Sequence, residues 1–348
     1  MDNLRHGYRA APVTSVVAED AVELALADGR YRRVAFTHEL RRPREIPFER
    51  NGRRWELRLP RPPADRIEYL LELEDGDGNV ERVPDPDNPL RAPGPFGDKS
   101  VIEFPGYAAP AWVADEESAQ GEIRELPFGL LWSAAESDPQ QPLPLLLAHD
   151  GPEYAEYSLL VRLLDHLVAF GEVPPMRAAL LAPPGDRNES YSASRRYARL
   201  LVERWLPQLA QDAPYETRPV GMGASLGALA MLHAHWLYPG TFGALLLQSG
   251  SFFRRRYDAH ESSYGRFARI TRFVGTVVGG RGQAEPIPVT VTCGTAEENL
   301  DNNRVIAAAL QERGFPARLV EHPDAHNWTS WRDVLDPHLP ELVLRSLQ

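Results

Sequence analysis

Cysteine, lysine and long apolar runs are scarce in this 348-residue chain, and each scarcity removes a class of function. The one cysteine, Cys293, cannot close an internal disulfide. Inside the apolar run that begins at Ile287 it reads as a small core residue and not as a nucleophile, so redox chemistry is not expected. Lys99 is the only lysine. Arginine therefore carries almost all positive charge along the whole chain, and a single arginine is a weak sign of a site. No apolar run reaches the ~20 residues of a membrane-spanning helix, and the first residues, MDNLRHGYRAAPVTSVV, lack the apolar stretch of a secretory signal. A cytoplasmic protein without membrane contact is expected. The net charge of -11 argues against nucleic acid as the main partner, because phosphate binding needs an exposed basic surface.

Hydrophobic residues at 43% and charged residues at 25% give the balance of a globular protein, and the length exceeds what one core usually organises. Two domains are expected. In residues 13–104 short segments alternate with period two, as in Trp55, Leu57, Leu59 and in Ile67, Tyr69, Leu71, Leu73, with a hairpin turn candidate at Asp75-Gly76-Asp77-Gly78-Asn79. Strands at this spacing without helices predict a small all-β sandwich over residues 1–105. Residues 84–97 hold five prolines and predict an ordered surface loop bracing one domain against the other, and 106–122 reads as a linker. From 123 to 348 the pattern becomes strand and helix in alternation, the signature of a doubly wound, mostly parallel sheet covered on both faces. Strands are expected near 144–148, 177–182, just before 221, and at 244–247, 287–293 and 317–321. Helices are expected at 157–170, 194–209, 228–237 and 306–312. Chemistry in such a sheet gathers at the carboxyl ends of the strands.

Gly223-Ala224-Ser225-Leu226-Gly227 matches G-x-S-x-G between a strand and an alanine-rich helix, the strained turn that exposes a nucleophilic serine in an α/β-hydrolase. Ser225 is the expected nucleophile, and the Leu226 amide would face the substrate oxyanion. A base should follow in the chain order serine, acid, histidine. His326, after the last strand, is the expected base, with His322 as rival; His233 and His235 on the helix after Ser225 read as packing or surface residues. The loop after the 287–293 strand offers Glu297, then Glu298, then Asp301 as the acid that holds the imidazole tautomer, and a dyad without an acid stays open. The second oxyanion donor is expected from His149-Asp150-Gly151-Pro152, at Gly151 or beyond Pro152, since proline has no N–H.

The runs Val220-Gly221-Met222-Gly223-Ala224-Ser225-Leu226-Gly227, Leu247-Gln248-Ser249-Gly250-Ser251-Phe252-Phe253, and His326-Asn327-Trp328 with Trp331-Arg332 resemble the enterochelin (enterobactin) esterases, a branch of the esterase-D-like α/β hydrolases. The likeness covers most of 123–348, and the family carries an N-terminal β-sandwich. Asp324-Ala325-His326-Asn327 stands where the family has Gly-Gly-His-Asp, and Tyr154 where its oxyanion loop tends to carry tryptophan. The resemblance implies hydrolysis of a trilactone catecholate siderophore, releasing iron in the cytoplasm. It makes Tyr154, Gln248, Phe252, Phe253 and Arg254 candidate substrate contacts: Phe252 and Phe253 could stack on catechol rings, and Arg254-Arg255-Arg256 could attract an anionic ferric complex. No cofactor and no resident metal are implied. A feruloyl or carbohydrate esterase, or an acyltransferase of the same fold, is the alternative. Trp55, the only tryptophan in 13–104, alternates as a core residue, which leaves no aromatic sugar platform. A catalytically silent binding module is opposed by the presence of both Ser225 and His326.

Overall fold

The computed structural model describes residues 13–26, 30–282 and 284–348, so the expectation about residues 1–12 lies outside the described residues. Two units form: one ends at Ala108 and takes in Pro323–Asn327, the other comprises Ala109–His322 and Trp328–Gln348. Among the described residues no helix is long and apolar enough to cross a membrane.

In the first unit the period-two alternation becomes two antiparallel sheets. One holds β1 (Val13–Val17), β2 (Ala21–Leu26), β5 (Glu49–Asn51) and β6 (Arg54–Pro60) in the order β1-β2-β6-β5. The other holds β3 (Arg33–His38), β4 (Glu45–Pro47), β7 (Arg66–Glu74), β9 (Arg91–Ala92) and β10 (Lys99–Glu103) in the order β4-β3-β7-β10-β9, with β8 (Val80–Val83) also on β7. Val22, Leu24, Leu26, Phe36, Tyr69 and Leu71 are buried, and the rings of Phe36 and Tyr69 stack at 4.7 Å. The other side of β7 is buried as well, and its carboxylates are paired: Glu68 with Arg66 at 3.1 Å, Glu72 with Arg33 at 2.7 Å and Arg82 at 2.8 Å. The expected hairpin turn joins β7 to β8, where the Asp75 carboxylate accepts the N–H groups of Asp77 and Asn79 at 2.9 Å each.

The second unit carries an eight-stranded sheet: β11 (Glu122–Leu126), β12 (Gly129–Ser133), β13 (Leu145–His149), β14 (Arg177–Leu181), β15 (Val220–Ala224), β16 (Ala244–Gln248), β17 (Val289–Gly294) and β18 (Ala317–His322). The order is β11-β12-β14-β13-β15-β16-β17-β18, antiparallel across the first two pairings and parallel thereafter. β13 to β17 are buried along their whole length, as an apolar strand covered on both faces must be. Leu145 and Leu147 join one core, Leu146 and Ala148 the other. The chain folds as an α/β-hydrolase sheet preceded by a β-rich unit, as the strand and helix alternation predicted.

Helices cover both faces: α1 (Gly151–Tyr157), α2 (Leu160–Ala169), α3 (Arg187–Tyr191), α4 (Arg195–Leu200), α5 (Leu206–Asp212), α6 (Leu226–Leu237), α7 (Phe267–Val278), α8 (Leu300–Glu312), α9 (Trp328–Asp333) and α10 (His338–Ser346). The helix expected at 194–209 is α4 and α5 joined by a π turn, closed by an i→i−5 bond from the Leu206 N–H to the Leu201 carbonyl. α7 had no counterpart among the expected helices, although Phe267, Ile270, Phe273, Val274 and Val277 line one face at helical spacing. Residues 109–122, expected as linker, lie on the second unit. Trp112 is buried in its core, and the Val113 carbonyl and Asp115 carboxylate are bound by Arg162 at 2.7 Å and His166 at 2.6 Å.

The proline-rich loop is ordered because its polar groups are spoken for. Asp85, fully buried, accepts from the Tyr69 hydroxyl at 2.6 Å and the Asp87 N–H at 3.0 Å, while Asn88 donates to the Val101 carbonyl at 2.6 Å. Asp85→Ala strands the buried Tyr69 hydroxyl and is expected to cost about 1–3 kcal/mol of sandwich stability, measured by urea unfolding; an unchanged midpoint would show that the loop is not anchored there.

Candidate active site

The turn between β15 and α6 holds Ser225 at φ 55°, ψ −120°, a backbone conformation that a residue with a Cβ adopts only when its surroundings enforce it. Its N–H donates to the Gln248 carbonyl at 2.9 Å, and its own carbonyl accepts from Ser251 N–H at 3.1 Å. Gly223 is a steric requirement, since a Cβ there would stand 2.7 Å from the Gly227 carbonyl carbon, and Gly227 lets the turn after β13 come close, a Cβ there standing 3.2 Å from His149 Cβ. Ser225 Oγ lies 3.0 Å from Ser251 Oγ, and Leu226 opens α6.

Beside this elbow, β13 ends in His149 and Asp150. A carbonyl can only accept, so the 2.9 Å contact between His149 Nδ1 and the Gly227 carbonyl places the proton on Nδ1, leaving Nε2 to accept from the Tyr197 hydroxyl at 2.7 Å. Burial lowers the His149 pKa to about 4, which keeps this tautomer neutral. Asp150 is left-handed at φ 51°, buried, and held bidentately by Arg187 at 2.7 and 2.6 Å. The loop at the start of α1 is thereby fixed to the start of α6. Gly151 begins α1 against Leu180, whose Cα would lie 2.2 Å from a Cβ at that position.

The three candidate acids part company. Glu297 is buried at 1% exposure, and its Oε1 accepts from Ser249 Oγ at 2.6 Å and Gly294 N–H at 2.9 Å; Ser249 Oγ in turn accepts from Trp331 Nε1 at 3.0 Å. Glu298 is half-buried and lies with His260 and Glu261 in a group whose ligand atoms fall within 4.8 Å of one another, a candidate cation site near the surface among the described residues. Asp301 is exposed and paired with Arg304 at 3.2 Å. The loop carrying Ser249 to Ser251 is clamped by Asn303, which accepts from Gly250 N–H at 2.9 Å and donates to its carbonyl at 3.1 Å.

Among the histidines, His322 ends β18 with Nε2 2.7 Å from Ser330 Oγ, and burial lowers its pKa. His233 packs edge-on against Phe273, and His235 Nε2 meets the Glu285 carbonyl at 2.8 Å. His326 is half-buried in the Pro323–Asn327 loop, which belongs to the first unit; there the Asp65 N–H donates to the Pro323 carbonyl at 2.7 Å. Ser225 and Glu297 belong to the second. Asp324, 5% exposed, is raised from the usual 3.8 to about 7 by burial, against the pull of the Ala325 N–H and Arg66.

Three expected substrate contacts take another role. Tyr154, Gln248 and Phe252 are each 0% exposed. The Tyr154 hydroxyl donates to Gln248 Oε1 at 2.7 Å and Gln248 Nε2 donates to the Trp331 carbonyl at 3.0 Å, so their polar atoms brace the sheet edge instead of facing a ligand. Phe253 is half-buried; Arg254 donates to Asn302 Oδ1 at 2.6 Å and lies 4.2 Å from the Tyr257 ring centroid. Arg255 and Arg256 are exposed. Tyr197 and Asn303 were missed as parts of the site, and His149, Arg187, Ser249 and Ser251 were given no role of their own. Their partners lie 26 to 78 positions away, which neighbouring residues do not reveal.

Residues 133–342 match the family described as "Putative esterase". A stretch of 154 residues is 33% identical to the iron(III) enterobactin esterase of Dickeya dadantii (strain 3937), covering 43% of this chain and 35% of that protein. The fold is similar to the crystal structure of ferric enterobactin esterase from Salmonella typhimurium, with a TM-score of 0.73 at 17% identity over 97% of each chain. A structure described as a ferulic acid esterase matches with a TM-score of 0.52 at 19% identity, over 65% of this chain and 99% of that one.

Two outcomes are expected from the packing. Gly151→Ala forces a Cβ into the β14 backbone and should cost about 1–3 kcal/mol, read as a lowered thermal midpoint; a midpoint equal to wild type would mean that the loop can move aside. Asp324 binds its proton more tightly folded than unfolded, so its contribution to stability is full below pH 3.8 and is lost as pH rises through about 7. Asp324→Asn should remove that part of the pH dependence, and unfolding curves at pH 4 and pH 8 that keep the wild-type difference would contradict it.

Proposed function

We propose that this chain, which belongs to the esterase family matched over residues 133–342, is a serine carboxylic ester hydrolase working through Ser225, His326 and Glu297. The observation that carries the proposal is the enforced positive φ of Ser225 at the N-terminus of α6, which holds a hydroxyl clear of both the strand and the helix. In the proposed reaction His326 takes the Ser225 proton as the hydroxyl attacks the ester carbonyl, then returns it to the leaving alcohol. Water repeats the cycle to free the acid. The amides of Leu226 and Gly151 are the proposed oxyanion donors; α6 adds the partial positive charge of its N-terminus. Gly151 is supported by the bond network that ties the β13–α1 turn to Gly227.

Glu297 is supported as the acid by its burial and by the two donors that fix one of its oxygens in place. The proposed substrate is a catecholate trilactone siderophore in its ferric form, hydrolysed in the cytoplasm. Support comes from the likeness to the Dickeya dadantii and Salmonella typhimurium proteins named above, the latter across 97% of the chain where the ferulic acid esterase covers 65%. The candidate contacts left accessible are the half-buried Phe253 and Arg254 and the exposed Arg255 and Arg256.

Ser225→Ala and His326→Ala should each lower kcat on a p-nitrophenyl ester by about 10³-fold or more with unfolding unchanged, whereas His322→Ala should leave most activity. Glu297→Gln should cost up to ~10⁴-fold by releasing the wrong tautomer, and Glu298→Gln and Asp301→Asn far less. Activity of Ser225→Ala within tenfold of wild type would end the proposal; equal, mild losses from all three acid variants would replace the triad with a dyad. Hydrolysis of a ferric catecholate trilactone no faster than of the p-nitrophenyl ester would remove the siderophore.

A further inference from the structure

The C-terminal half of α6 borders a cavity of about 720 Å³ formed with α4 and α7. Trp236 is eleven residues from Ser225, ~16 Å along the helix at 1.5 Å per residue, so this cavity is separate from the elbow. Its charge is at odds with the rest of the molecule. In a chain of net charge -11, four arginines (Arg195, Arg196, Arg269 and Arg272) line it against one glutamate, Glu189. Glu189 is already committed to Arg266 at 2.9 Å and Arg269 at 2.6 Å. Arg195, Arg196 and Arg272 are exposed, and no acidic partner for any of them is found among the described residues, whereas Arg33, Arg187, Arg218, Arg304 and Arg318 are all paired with carboxylates.

The floor of the cavity adds an imidazole and one unsatisfied indole N–H. His233 is 5% exposed, packs its ring edge on Phe273 at 4.8 Å, and has no hydrogen-bond partner among the described residues. Trp236 is 8% exposed, and its indole N–H is buried without an acceptor among the described residues. A cluster of unpaired cations repels itself, and an anion in the cavity relieves that repulsion. The neighbouring Arg195 and Arg269 charges, after burial, are what lower the His233 pKa to about 4, so the imidazole is neutral and adds no further positive charge.

We propose that this groove binds a small aryl carboxylate, its anionic group held by Arg195, Arg196 and Arg272 and its ring lying against His233, Trp236 and Phe273. Arginine forks suit the planar carboxylate, and the aromatic floor suits a flat apolar body. The site is independent of the ester chemistry proposed for Ser225.

The test uses full-length protein labelled with ¹⁵N-tryptophan, whose seven indole signals include Trp236, assigned through Trp236→Phe. Titration with benzoate should shift the Trp236 signal saturably, and acetate should bind at least tenfold more weakly. Arg195→Gln/Arg196→Gln/Arg272→Gln should weaken benzoate at least tenfold while p-nitrophenyl ester hydrolysis and the thermal midpoint hold. Each single Arg→Gln variant, expected to weaken it at least threefold, keeps the test standing if the triple variant does not fold. An unmoved Trp236 signal, equal affinity in the arginine variants, or acetate binding as tightly as benzoate would each overturn the site, and none of these outcomes bears on Ser225.

Discussion

The turn at Ser225 is the constraint around which the second unit is arranged. A positive φ at a residue with a Cβ costs energy, and the turn persists because its surroundings leave it no alternative. The Ser225 N–H is bonded to the end of β16, its carbonyl is bonded by Ser251, and the glycine at 223 removes the Cβ that would push strand and helix apart. The same close approach brings His149 and Asp150 onto the first turn of α6. The nucleophile and the neighbouring turn at the end of β13 are therefore positioned by one packing decision.

Around that turn the polar groups are linked in two chains. Tyr197, His149 and the Gly227 carbonyl form one, and burial keeps its imidazole neutral, so it holds geometry without carrying charge. Trp331, Ser249 and Glu297 form the other, converging on a carboxylate that is almost fully buried. Buried networks of this kind are costly when incomplete, which ties the integrity of the loops to the packing of the sheet. The Pro323–Asn327 loop does the same in the first unit: Asp324 is buried and accepts from the Ala325 N–H and the Asn327 side-chain amide instead of facing solvent.

Much of the architecture was legible from local pattern. Fully apolar runs at 145–148 and 244–247 became buried parallel strands, and the G-x-S-x-G run became a strand-to-helix turn. Legibility failed where burial and polarity disagree. Tyr154, Gln248 and Phe252 have the chemistry of ligand contacts and sit in the interior, because Tyr154 and Gln248 satisfy each other and Gln248 reaches a main-chain carbonyl. α7 is as amphipathic as any helix in the unit, but it follows a long irregular stretch with no strand signal to frame it.

By itself the sequence determined the alternation of strands and helices around the site, the strained serine turn, and the short menu of acids and bases around it, because each of these is written in neighbouring residues: glycine spacing, apolar period, chain order. Only the tertiary structure decided which of Glu297, Glu298 and Asp301 is buried and hydrogen-bonded, which arginines pair with carboxylates, and that the His326 loop groups with the first unit. Those outcomes depend on residues tens of positions apart meeting in space, where burial removes water as the competing partner and forces each polar group to find another.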